Sequence, residues 1–94
     1  MSSVPVASSR SALRRRGQAH ALLLAARNST LPFEVSTSGR WVRFEIKGNV
    51  VYVVGNVWGS GFSVLTVNGV GEAQTEQFME PGAAVGAGVR HLGR

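Results

Sequence analysis

The sequence contains no cysteine and no aspartate, only two histidines, His20 and His91, and a single lysine, Lys47. The missing cysteines exclude disulfides, thiol nucleophiles and cysteine-ligated zinc or iron–sulfur centres. Two histidines far apart, with no His-x-x-x-His pair, do not supply a transition-metal site. No serine stands in a Gly-x-Ser-x-Gly elbow, and no aspartate is available to orient a histidine behind a nucleophile. Gly59-Ser60-Gly61 reads as a turn. The glycine-rich stretch 55–61 lacks the lysine and helix of a phosphate loop, and Gly69-Val70-Gly71 lacks the helix start of a dinucleotide fingerprint. No run approaches the ~18 consecutive apolar residues of a membrane-spanning helix. These absences point away from catalysis and from a resident metal or cofactor. The expectation is a non-enzymatic protein.

What is present suits one modest core. The chain has 94 residues, 44% hydrophobic and 16% charged, a balance unlike that of a disordered chain and too short for two domains. Cations outnumber acids, ten to five, for a net charge of +5. Every acid is glutamate, and every cation but Lys47 is arginine. The arginine bias, with abundant Ala, Gly and Val, is that of a G+C-rich coding sequence and is compatible with a phage or mobile-element gene. Charge is also uneven along the chain. Residues 1–33 carry Arg10, Arg14, Arg15, Arg16 and Arg27 and no acid, whereas 72–80 carry Glu72, Glu76 and Glu80 and no base. A basic block of this kind attracts phosphate-bearing partners in a salt-dependent way.

Residues 1–8 read as a flexible arm. A helix is expected over about 9–27, capped by Ser8 or Ser9 and closed by Asn28-Ser29-Thr30 and Pro32. Its apolar residues do not fall on one clean face. Leu13 and Leu24 nearly coincide, while Leu22 points elsewhere. A basic stretch followed by an apolar one also has the order of a targeting segment, so the expected cytoplasmic location holds only if residues 1–30 are not such a segment.

From Phe33 the period changes to two. Arg40 to Lys47 alternates most strongly, with Val42, Phe44 and Ile46 on one face and Trp41, Arg43, Glu45 and Lys47 on the other. Gly48-Asn49 reads as a two-residue hairpin loop, setting Ile46 opposite Val51 and Phe44 opposite Val53. The core face is then Val42, Phe44, Ile46, Val51 and Val53. Shifting the loop by one residue at both strand ends keeps those faces, because parity is unchanged. In this register Trp41 and Tyr52 are not immediate neighbours. A further strand is expected over 62–67 and a turn at Asn68-Gly69. Residues 72–80 read as an edge strand, with a short helix stopped by Pro81 as the alternative. The Gly/Ala-rich tail 81–94 reads as flexible. The fold class is therefore α+β, with one N-terminal helix on an antiparallel meander of four to five strands over about 33–79.

Two functional expectations follow. The first is association with nucleic acid through Arg14, Arg15, Arg16, Arg43 and Lys47, with Trp41 and Tyr52 as stacking residues. The second is a structural or regulatory protein–protein module, a homo-oligomer subunit or the binder of another protein. Val50, Val54, Val57, Trp58, Leu65 and Val67 offer more apolar surface than one short helix covers.

Overall fold

The computed structural model describes residues 6–56 and 61–92, with side chains from residue 17 onward. The first five residues of the N-terminal arm, the 57–60 connection with Val57 and Trp58, and residues 93–94 lie outside the described residues. In chain order the elements are α1 (Val6–Asn28), β1 (Glu34–Val35), β2 (Trp41–Ile46), β3 (Asn49–Gly55), β4 (Phe62–Val67), β5 (Ala73–Phe78) and α2 (Pro81–Leu92). The five strands form one antiparallel sheet in sequence order, the meander expected from the hairpin signals. Residues 72–80 contribute a strand, not a helix.

Period-2 alternation divides the sheet into two faces. Val42, Phe44, Val51, Val53 and Val64 turn to one side and are buried with Leu22 and Ala26 of α1 and with Ala84, Val85 and Leu92 of α2. Phe33 supports this core from the edge, its ring 6.0 Å from that of Phe44. Both helices therefore lie on the same face of the sheet.

The C-terminal segment corrects the sequence reading. Residues 81–92 form a packed helix, not a flexible tail. Glycine lowers helix propensity, which makes Pro-Gly-Ala-Ala-Val-Gly-Ala-Gly read as a linker. Here Gly88 leaves α2 narrow enough at that turn to lie against β3. Ala84, Gly88 and Leu92, spaced by four, all fall on the buried side. Pro81 starts the helix where its missing N–H costs nothing, and the Ala84 N–H donates to Glu80 O at 3.1 Å. Arg90 stands in the last turn, where its positive charge suits the exposed carbonyls.

The structure makes three smaller corrections. Helix α1 begins at Val6, so residues 6–8 are helical where an arm was expected. A proline immediately ahead of a helix costs it no hydrogen bond. The buried side of α1 runs through Leu22 and Ala26, while Leu24 is 44% exposed, because the sheet accepts the smaller surface. In the first long hairpin the loop is Lys47-Gly48, not Gly48-Asn49. Both loop residues have positive φ, 53° and 84°, as a type I′ turn requires. Asn49 instead begins β3, opposite Ile46, and its Oδ1 accepts the Gly69 N–H of the β4–β5 turn at 3.1 Å. The pairing moves by two, so Phe44 meets Val51 and Val42 meets Val53, and the two faces survive unchanged.

Candidate functional interface on the open sheet face

The sheet face opposite the helices carries three transverse rows. The first is Trp41, Val54, Ser63 and Gln77. The second is Glu34, Arg43, Tyr52, Leu65 and Thr75. The third is Glu45, Val50, Val67 and Ala73. Strand pairing fixes these neighbours, since directly opposite residues in antiparallel strands project to the same side. The apolar members sit on the two central strands. Val50, Tyr52, Val54, Leu65 and Val67 are all half-buried, as is Trp41 at the start of β2.

The corrected register creates a contact that the sequence reading missed. Tyr52 stands directly opposite Arg43, and Trp41 is its diagonal neighbour. The indole and phenol rings meet edge to face, with centroids 5.4 Å apart and planes at 75°, an arrangement favoured by the ring quadrupoles. The Arg43 guanidinium carbon lies 5.9 Å from the Tyr52 ring centre.

Arg43 is already engaged. Its Nη1 donates to Glu34 Oε1 at 2.8 Å and its Nη2 to Glu45 Oε1 at 2.7 Å. The hydrogen bond to Glu45 raises its pKa above the ordinary arginine value against a smaller opposing effect of burial, with Tyr52 adding to the rise. Two carboxylates thus surround one guanidinium, and this margin of the face is locally acidic. The opposite corner is neutral and polar. The Ser63 hydroxyl donates to Asn56 Oδ1 at 2.6 Å, and Asn56 Nδ2 donates to Gln77 Oε1 at 3.2 Å.

Of the residues expected to contact nucleic acid, Trp41, Arg43 and Tyr52 come together on the open face. Lys47 stands apart, exposed in the β2–β3 turn. Arg14, Arg15 and Arg16 belong to α1, but their side chains lie outside the description. From Leu22 onward α1 packs on the far side of the sheet. The sequence expectation of one surface joining these arginines to the aromatic pair therefore has no support in the described contacts. Glu34 and Glu45 were missing from the expected site. The alternation of β2 already put Glu45 two positions from Arg43 on the same face. Glu34 reaches Arg43 only through the β1–β2 pairing.

Two hollows lie elsewhere on the described surface. One of about 340 Å³ lies at the end of β3–β5 beside Asn49, Asn68, Glu72 and His91. There His91 Nε2 and Glu76 Oε1 are 3.2 Å apart, linking α2 to β5. The other, about 460 Å³, runs between the helices along Ala21, Leu24, Ala25, Val85 and Val89. Among the described residues no helix is long and apolar enough to cross a membrane. No protein-family model, no curated protein and no solved structure matches the chain.

Proposed function

We propose that the chain is a non-enzymatic binding module that docks a protein partner on the open face of its sheet. One observation carries the reading: the helices cover only one face, and the other presents an aromatic–aliphatic centre with an ion-paired margin. An apolar centre inside a polar rim is the anatomy of a protein interface. Trp and Tyr are the residue types that most often anchor such interfaces. The same geometry speaks against phosphate as the ligand of this face. Arg43 is held by two carboxylates, and an incoming phosphate would have to displace them from within an acidic margin.

The test is photo-cross-linking from a benzophenone amino acid at Tyr52, in the cells that make the protein. A discrete protein adduct is expected. Absence of any protein adduct would overturn the reading.

A second reading keeps nucleic acid as a partner, through the N-terminal arginines alone. The observation favouring it is the acid-free stretch 1–33 with its five arginines. Anisotropy of labelled DNA and RNA across a salt series tests it. Binding that weakens steeply with salt and is lost when Arg14, Arg15 and Arg16 become Glu supports this reading. No binding at low salt overturns it.

A further inference from the structure

We infer that the partner on the open face is a second copy of this chain, packed sheet on sheet about a two-fold axis running along β3. The inference rests on the docking reading above and names its occupant.

The first argument is area. Four strands of about six residues, ~4.8 Å apart and rising ~3.4 Å per residue, cover roughly 400 Å² in plan. Side chains standing on that plan enlarge its accessible surface. Two copies together therefore clear the roughly 1,000 Å² that separates a specific interface from an incidental contact. The face is broad, and its half-buried apolar residues spread over two adjacent central strands. That shape suits another sheet better than a single extended peptide, and aligned sheets pack at ~10 Å with their inner side chains interdigitated.

The second argument is charge. Among the described residues, the ionised groups of the face lie at the β1–β2 margin, as Glu34, Arg43 and Glu45, and the opposite margin carries Ala73, Thr75 and Gln77. A two-fold axis along the central strand lays the charged margin of one copy over the neutral margin of the other. An axis across the strands would instead set Arg43 over Arg43, a like-charge juxtaposition. Arg43 is paired within one chain, and the excess negative charge of Glu34 and Glu45 stays at the rim of the interface, clear of its apolar centre. The axis along β3 also brings Tyr52 and Val54 of the two copies to the middle of the interface, where water is best excluded.

Sedimentation equilibrium of the full chain tests the inference. Between 1 and 100 µM it should show a dimer of roughly twice the chain mass that survives 0.5 M salt, because the contact is apolar. Val54→Asp, which sets two carboxylates against each other across the axis, should weaken self-association by at least ~30-fold, while the far-UV circular dichroism stays that of the wild type. A chain monomeric at 100 µM, or a dimer indifferent to Val54→Asp, overturns the inference. If the aspartate variant does not fold, Leu65→Cys replaces it. The sequence holds no other cysteine, so the labelling rate of that thiol reads its burial directly. Labelling that slows as concentration rises supports the dimer, and a rate independent of concentration overturns it. The Tyr52 cross-link separates the two levels of the account. A monomer that still forms an adduct with a different protein removes the dimer and leaves the docking reading. A monomer with no adduct removes both.

Discussion

Helix α2 approaches the sheet at a glycine, and this makes two chemically identical substitutions differ in sign. A Cβ built on Gly88 would stand 2.6 Å from Val51 Cγ1, with Val64 Cγ1 at 3.6 Å. Ordinary carbon contacts are ~3.5–4.0 Å, so the methyl intrudes by about 1 Å on a branched side chain. Val51 is fully buried and braced by the core, and it cannot swing aside as a long side chain would. Overpacking of this kind costs ~1–3 kcal/mol, against a helix-propensity gain of up to ~1 kcal/mol for replacing glycine. Gly86, one half-turn away in the same helix, has nothing within 4 Å of a built Cβ. Gly86→Ala should therefore stabilise by ~0.5–1 kcal/mol. The difference between the two variants isolates the steric part, expected at ~1–3 kcal/mol, because helix propensity enters both alike. Urea unfolding followed by circular dichroism and tryptophan emission measures it. In a Val51→Ala background the penalty of Gly88→Ala should shrink, as expected for residues in direct contact. Equal stabilisation by Gly86→Ala and Gly88→Ala would refute the close approach of α2 to β3.

Further outcomes follow from the turns and the sheet. Lys47 has φ 53°, a conformation that costs a side chain such as lysine ~1 kcal/mol, and Lys47→Asn creates the preferred Asn-Gly loop. This variant should raise the melting temperature by several degrees, with ~4–8 °C expected per kcal/mol; thermal scans of the two proteins check it. At Gly61, φ is 99° and a Cβ would meet Phe78 O at 2.6 Å. Gly61→Ala should cost more than ~2 kcal/mol in denaturant titration, since backbone and sterics both oppose it. Asn68 Oδ1 accepts the Val70 and Glu72 N–H groups, both at 3.0 Å. Asn68→Ala should lose ~1 kcal/mol, with increased amide hydrogen exchange confined first to the β4–β5 turn. A wild-type exchange rate there in the variant would show that the side chain does not hold the loop.

Much of the sheet was legible because side-chain period is insensitive to an even shift in register. Val42, Phe44, Val51 and Val53 are the buried set whether Gly48-Asn49 or Lys47-Gly48 makes the loop. What could not be read was which residues touch across the open face. That depends on the register itself, and Asn49 was drawn into β3 by a hydrogen bond to Gly69, twenty residues away. The Trp41–Tyr52 contact and the placing of Tyr52 opposite Arg43 both follow from that shift.

The helices were harder for a related reason. Propensity makes 81–92 read as a linker, yet the four-residue spacing of Ala84, Gly88 and Leu92, behind a proline and with Arg90 in the last turn, is a helix signal that composition obscured. In α1 the apolar residues point in several directions, and only packing against the sheet and α2 selects Leu22 and Ala26 over Leu24. The candidate site was half legible. Trp41, Arg43 and Tyr52 were assigned to one face from alternation. The pairing of Arg43 with Glu34 was not, since Glu34 joins through a strand of only two residues.

The central claim is that the open sheet face is where this protein meets its partner. The direct measurement is photo-cross-linking from Tyr52, on that face, compared with cross-linking from Val70, which is 79% exposed in the β4–β5 turn. The account predicts a discrete protein adduct from position 52 and none from position 70, with the mass of two chains if the partner is a second copy. Adducts from position 70 but none from position 52 would contradict it.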